Sequence, residues 1–243
     1  GKVPACLGTT PAPSFKDASS AWGLSDEGLN VQGNRLMTAD LDGDGYPDLI
    51  VHRIGTTART SVEAAQADSA RWGMRILMNR PGPDGGRAFV DATVASHYGA
   101  VPGAPAGGKE LRLAHLAAAA DVDNDGDLDL FSGTVADPTA DEAKTPDTGD
   151  RSQILLNDGN GVFTLAPPSD VTPPLKPKWP TSGATFLDAD RDGKIDLFVG
   201  FWYRAYGSSD FGVQAQLYRG NGDGTFTAVT EPSGLKTSPT GGN

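Results

Sequence analysis

Residues 39–51 read ADLDGDGYPDLIV, residues 120–131 read ADVDNDGDLDLF, and residues 187–199 read LDADRDGKIDLFV. The three stretches share one pattern, D-x-D-x-D-G-x-x-D-L, with aspartate at positions one, three, five and nine and glycine at position six. The pattern begins at Asp40, Asp121 and Asp188, so its copies lie 81 and 67 residues apart. We call these copies the first, second and third Asp loops. A repeat of this kind indicates a fold built from similar neighbouring units.

A second element alternates with the Asp loops. It consists of a short apolar strand, a turn and a phenylalanine, and its copies span residues 76–89, 154–163 and 216–226. The glycine-rich turns at 157–161 and 221–224 are strong hairpin signals. Each unit therefore supplies about four short strands, as in one blade of a β-propeller. Helical periodicity is absent from these stretches.

These spacings predict an all-β fold of three units, around residues 36–98, 112–172 and 183–235. The repeat region covers residues 14–235, with an N-terminal tail at 1–13 and a C-terminal tail at 236–243. Residues 15–24 match residues 226–235, from an initial phenylalanine to a final Gly-Leu, but no Asp loop precedes them. We expect this surplus element either to cap its own ring of blades or to be donated to a neighbouring subunit.

The Asp loops have the composition of calcium sites. Calcium takes six to eight oxygen ligands, and alternate aspartates before a glycine turn bring such ligands together within a short loop. An EF-hand would need glutamate at position twelve, where this chain has Val51, Ser132 and Val199. The aspartate at position nine therefore closes each site, and the chain continues as a strand. A backbone carbonyl at position seven is a further expected ligand, because the side chains there differ between loops.

We expect these ions to be structural, since the site recurs in every unit and the loops lack histidine, cysteine and glutamate. Extracellular calcium would fill even weak loops, so the chain is predicted to be secreted, extracellular or periplasmic. Its net charge of −11 disfavours nucleic acid as a partner. No stretch reads as a membrane span. The single cysteine, Cys6, is a free thiol, an intermolecular disulfide partner or a lipid attachment site.

With these motifs, the sequence resembles the FG-GAP/VCBS repeat family of calcium-loop β-propellers, which includes integrin α-subunit heads. Its Phe and Gly-Leu elements are most similar to the subgroup associated with ASPIC/UnbV domains, although it lacks a C-terminal domain of that type. The resemblance covers residues 14–235. It implies blades of four antiparallel strands, with about three structural Ca²⁺ ions in all. The ligands that it implies are the aspartates at positions one, three, five and nine and the carbonyls at position seven: Asp40, Asp42, Asp44, Tyr46, Asp48, Asp121, Asp123, Asp125, Asp127, Asp129, Asp188, Asp190, Asp192, Lys194 and Asp196.

Three units are fewer than closed propellers have. The chain is therefore part of a longer polypeptide, is completed by other subunits, or is closed by strands that these motifs do not reveal. The leading hypothesis is an extracellular calcium-binding module for protein interaction, adhesion or assembly, including a filament or oligomer subunit attached to a cell surface. The alternatives are a carbohydrate-binding propeller and an accessory domain of a secreted enzyme.

Two groups of side chains bear on these alternatives. Exposed aromatic residues in the segments between strands would suit sugar rings, or else they pack between blades; they are Trp72, Trp179, Trp202, Tyr203 and Tyr206. The three histidines, His52, His97 and His115, belong to no catalytic motif. We therefore expect no enzymatic activity from this chain itself.

Overall fold

A computed structural model describes residues 14–25, 28–53, 74–99, 114–134, 152–172, 181–201 and 214–235. These residues contain twelve β-strands and no helix. The strands are β1 (Arg35–Ala39), β2 (Asp48–His52), β3 (Met74–Pro81), β4 (Arg87–Asp91), β5 (Ala114–Ala120), β6 (Asp129–Thr134), β7 (Gln153–Asn157), β8 (Phe163–Leu165), β9 (Thr181–Leu187), β10 (Asp196–Phe201), β11 (Gln216–Gly220) and β12 (Phe226–Ala228). No helix in the described part is long and apolar enough to span a membrane.

The strands form three four-stranded antiparallel sheets, each ordered as in the sequence. We call them blade 1 (β1–β4), blade 2 (β5–β8) and blade 3 (β9–β12). In every blade the Asp loop joins the first two strands, and a short hairpin joins the last two. The all-β prediction of four-stranded units is thereby confirmed. The alanine-rich run 117–120, which could have begun a helix, lies in strand β5.

Apolar layers between the sheets hold the blades side by side. The central strands of blade 2, β6 and β7, are buried on both faces because a neighbouring blade lies on each side. Ile50 and Ile76 of blade 1 pack with Leu130 and Leu155 of blade 2, and all four are fully buried. A second layer joins the opposite face of blade 2 to blade 3. The first strand of blade 2, β5, contacts the first strands of both neighbours, so the first strands lie innermost.

Across the inner strands, Arg35 of β1 donates a hydrogen bond from Nη1 to the Ser182 carbonyl of β9 over 3.0 Å. No strand of blade 1 pairs with a strand of blade 3 among the described residues, and the sheets do not form a closed ring. The three blades are thus consistent with part of a β-propeller.

The surplus N-terminal element lies on the face of blade 1 that points away from blade 2. Leu24 and Leu29 pack there against Val51 and Leu77, and the Arg75 guanidinium donates to the Leu29 carbonyl over 2.5 Å. Within this single chain, the element therefore packs against its own blade. The described residues form no strand before β1.

Several predicted features lie outside the described residues. These are both terminal tails with Cys6, the aromatic residues Trp72, Trp179, Trp202, Tyr203 and Tyr206, and much of the long segments between strands.

Candidate metal centres

The first aspartate of each loop shapes the turn that follows it. The two carboxylate oxygens of Asp40 accept hydrogen bonds from the backbone N–H groups of Asp44 (3.1 Å) and Gly45 (2.9 Å). Asp121 accepts the equivalent pair in the second loop, and the third loop repeats the bond to its glycine. The glycine at position six has a positive φ in all three loops, for example 85° at Gly45. Residues other than glycine rarely adopt such a backbone conformation. The predicted need for glycine at this position is confirmed.

The ninth aspartate anchors the loop to the third strand of its blade. In blade 2, Asp129 is fully buried, and its oxygens accept backbone hydrogen bonds from Val122 and from Asn157 at the end of β7, both at 2.9 Å. Asp48 and Asp196 make the same two bonds in blades 1 and 3, at 2.7–3.0 Å. This aspartate therefore joins the loop, the second strand and the third strand of each blade.

Each loop brings three carboxylates together. One oxygen from each aspartate at positions one, three and nine lies within 4.8 Å of the others, in the clusters Asp40–Asp42–Asp48, Asp121–Asp123–Asp129 and Asp188–Asp190–Asp196. The aspartates at position five lie outside these clusters, and each accepts the backbone N–H of position seven with Oδ1, at 2.9–3.0 Å. At position seven, Tyr46 and Lys194 are exposed and Asp127 is partly exposed.

The second loop shows the electrostatic cost of this crowding most clearly. Burial raises the pKa of Asp129 to about 6, and the charges of Asp123 and Asp125 add to that effect. Burial also raises the pKa of Asp123. The buried Oδ1 atom of Asp123 has no hydrogen-bond partner. A buried carboxylate oxygen without a partner is costly, and a bound cation would remove that cost.

These residues fit a hard divalent cation. The clusters offer only carboxylate oxygens, which suit calcium, and neither histidine nor cysteine. Asp40, Asp42 and Asp48 would hold an ion in the first loop, and the matching aspartates would do so in the other two. The ion would supply positive charge at the point where three carboxylates meet.

Two arginines from outside the first loop contact its carboxylates, and the loop motif does not reveal them. Arg80 contacts the Asp42 carboxylate, and Arg87 donates from Nη2 to Asp44 Oδ2 over 2.9 Å. The bond to Arg87 is the main cause of a lowered pKa for Asp44. The loop motif carries no sign of these arginines, because they come from β3 and β4. Only an alignment of the third and fourth strands of all units would have found them.

Comparison with protein families agrees with this geometry. A family model described as FG-GAP repeat matches residues 32–51, which contain β1, the first Asp loop and most of β2. A model described as FG-GAP-like repeat matches residues 121–199, from the second Asp loop through the third. The two matches support the assignment of this chain to the FG-GAP repeat family. A search of curated proteins finds no match for it.

FG-GAP repeats imply a β-propeller-like module for protein interaction, and the three Asp clusters of this chain are compatible with calcium. Both matches include Asp loops. The matched repeats therefore coincide with the carboxylate clusters at the junction of the first and second strands.

Proposed function

We propose that this FG-GAP repeat chain is an extracytoplasmic, calcium-stabilised module that binds protein partners, including further copies of itself, and is not an enzyme. The observation that carries the proposal is the recurrence of one carboxylate cluster in all three blades. In the second cluster a buried oxygen, Asp123 Oδ1, lacks a hydrogen-bond partner. Three acidic clusters in equivalent positions need cations for the same structural reason in every blade.

The hydrogen bonds of the clusters support a structural role for the ions. Asp129 already links the second loop to the end of β7 through its two backbone hydrogen bonds. A cation held by Asp121, Asp123 and Asp129 would neutralise the carboxylates that define this junction. Binding to the folded state alone stabilises that state by mass action, by about 2.7 kcal/mol per site at a hundredfold excess over Kd.

The need for calcium supports an extracellular or periplasmic location, at a cell surface or free. Loops of this kind fill readily at the calcium concentrations found outside cells. In a cytosol with little free calcium, the clusters would keep their repulsive charge.

The open face of blade 3 supports interaction with protein. Phe131 and Ile154 of blade 2 are buried against blade 3, at 0% and 2% exposure. Their counterparts in blade 3, Phe198 and Leu217, pair in the same register but are only partly buried. Leu187 lies on the same face of blade 3 and is 39% exposed. An apolar face on the last blade suits the surface of another protein, with adhesion or assembly as the result.

Thermal unfolding in millimolar calcium, in EDTA and in magnesium tests the calcium part of this proposal. We expect calcium to raise the midpoint by several degrees over EDTA, and magnesium to raise it much less, because magnesium demands near-octahedral geometry. The double variant Asp123→Asn and Asp190→Asn should lose most of this increment. Asp84→Asn, an exposed acid outside the loops, should keep it. Equal midpoints in calcium and EDTA would rule out structural calcium.

A further inference from the structure

The first Asp loop differs from the other two because two arginines lie against it. Arg80, near the end of β3, contacts Asp42, and its Nη1 lies 3.8 Å from Asp44 Oδ2. Arg87, at the start of β4, donates to the same oxygen of Asp44 over 2.9 Å. Both oxygens of Asp44 are thus engaged, since Oδ1 accepts the backbone N–H of Tyr46.

Arg87 is held firmly in this position. Its Nε donates to the Asn79 side-chain oxygen over 2.9 Å, and its Nη2 donates to the Asn79 carbonyl over 2.7 Å. Its guanidinium carbon lies 3.6 Å from the centre of the Tyr46 ring, a cation–π contact. Contacts on three sides therefore order the Arg87 side chain. Because the side chain is already fixed, it loses less conformational entropy when it forms the ion pair with Asp44.

The strand register shows that these arginines are specific to blade 1. Arg80 follows Asn79, whose backbone N–H donates to the ninth aspartate of the loop. The same place is held by Asp158 in blade 2 and Asn221 in blade 3. Phe89 pairs with Asn79, and Arg87 lies two residues before it. The equivalent positions in blades 2 and 3, two residues before the paired phenylalanine, are glycines, at 161 and 224. Among the described residues, no arginine or lysine pairs with a carboxylate of the second or third loop.

Position seven adds a second difference between the loops, because its side chain lies against the hairpin of the same blade. Tyr46 contacts Arg87 in blade 1. The Asp127 side chain lies close to Gly159 of the hairpin in blade 2. A Cβ atom placed on Gly159 would be 2.6 Å from Oδ2 of Asp127. The Lys194 side chain lies against Gly222 in the same way. This position therefore contributes no charge to the first loop, a negative charge to the second and a positive charge to the third.

The charges can be compared directly. Four aspartates and two arginines leave the first loop with a formal charge of −2, and five aspartates leave the second with −5. Four aspartates, Arg191 and Lys194 leave the third with −2, but among the described residues only the arginines of the first loop form ion pairs with loop carboxylates. Calcium affinity in such loops depends on the number of ligand charges and on how rigid the site is. A fixed guanidinium beside the ion also repels it directly.

We propose that the first Asp loop is a charge-compensated site. The positive charges of Arg80 and Arg87 neutralise part of the negative charge of Asp42 and Asp44, which a metal ion would otherwise neutralise alone. This loop binds calcium at least about tenfold more weakly than the other two loops, and the second loop binds most tightly. Blade 1 consequently keeps its loop folded at calcium concentrations that empty the other two. This inference rests on the proposed calcium binding and adds an order among the three sites.

Calcium titration of the full chain against a competing chelator tests the order directly. We expect two tight sites and one weaker site. In the double variant Arg80→Gln and Arg87→Gln, the weaker site, in the first Asp loop, should tighten by about tenfold or more. Lys16→Gln, which removes an exposed positive charge outside the loops, should leave all three affinities unchanged.

Single-loop variants give a second measurement that does not depend on the double arginine variant folding. Asp42→Asn should leave the two tight sites intact, whereas Asp123→Asn and Asp190→Asn should each remove one of them. Three equal sites in the unmodified chain, or loss of a tight site with Asp42→Asn, would overturn the order while leaving calcium binding in place. Absence of any calcium binding would overturn both proposals.

Discussion

At the scale of single residues, one buried histidine couples folding to pH. His115 of β5 is 2% exposed, and burial, followed by the charge of Arg35, lowers its pKa to about 4. In the unfolded chain its pKa is about 6.5. Above that pH the side chain is neutral in both states. Between about 6.5 and 4 only the unfolded state takes up the proton, so this residue reduces stability as the pH falls.

We therefore expect His115→Gln to flatten the acid side of the stability profile. The difference in unfolding free energy between the unmodified chain and this variant should change steadily from pH 6.5 to pH 4 and stay constant above pH 7. Urea titrations at a series of pH values measure it. His97→Asn is the control, since His97 is exposed and its positive φ is tolerated by asparagine. A constant difference between His115→Gln and the unmodified chain across this range would contradict the prediction.

At the scale of elements, the strands could be predicted from the sequence because each unit repeats the same signals. The ninth aspartate marks the start of the second strand in every blade, and the turns at 157–161 and 221–224 mark the outer hairpins. The contacts that tie one blade to the next could not be predicted in this way. Tyr98 lies beyond β4 in a segment without a repeating pattern, yet it is fully buried between blades 1 and 2. The same holds for the metal site. Its aspartates can be predicted from the loop motif, but Arg80 and Arg87 lie beside the first loop only because β3 pairs with β2 and β4 pairs with β3.

The Tyr98 hydroxyl joins two blades. It lies 2.8 Å from Nε2 of His52 in blade 1 and accepts a hydrogen bond from Ser132 of blade 2 at 2.9 Å. Tyr98→Phe removes both bonds inside the interface but keeps the ring. We expect a loss of about 1–3 kcal/mol in unfolding free energy, because buried polar groups lose a partner there. Chemical denaturation in saturating calcium measures this loss. Tyr46→Phe removes a hydroxyl from a side chain that is 47% exposed, and it should cost less than about 0.5 kcal/mol. Similar costs for the two variants would show that the hydroxyl does not hold the blades together.

At the scale of the whole molecule, the two end blades are covered unequally. Blade 1 is covered in part by the segment before β1, from which Leu24, Leu29 and Val31 pack on the sheet. The matching Gly-Leu element after β12 ends in Leu235, which is 40% exposed. Phe15, at the start of the N-terminal element, is fully exposed, whereas its counterparts at 89, 163 and 226 are buried. The molecule thus presents apolar groups at the positions where a neighbouring blade would cover them.

The proposed self-association follows from this unequal cover and predicts which surface carries it. Light scattering after size-exclusion chromatography in calcium should give a mass above that of one chain and rising with concentration. The double variant Leu187→Glu and Leu235→Glu should return the mass to one chain, because burying two unpaired carboxylates at a protein interface is costly. Val90→Glu places the same charge at a residue of β4 that is 51% exposed, away from blade 3, and should leave association unchanged. If the unmodified chain stays a single copy at every concentration, the open face of blade 3 serves a different protein partner or none, and assembly from copies of this chain is excluded.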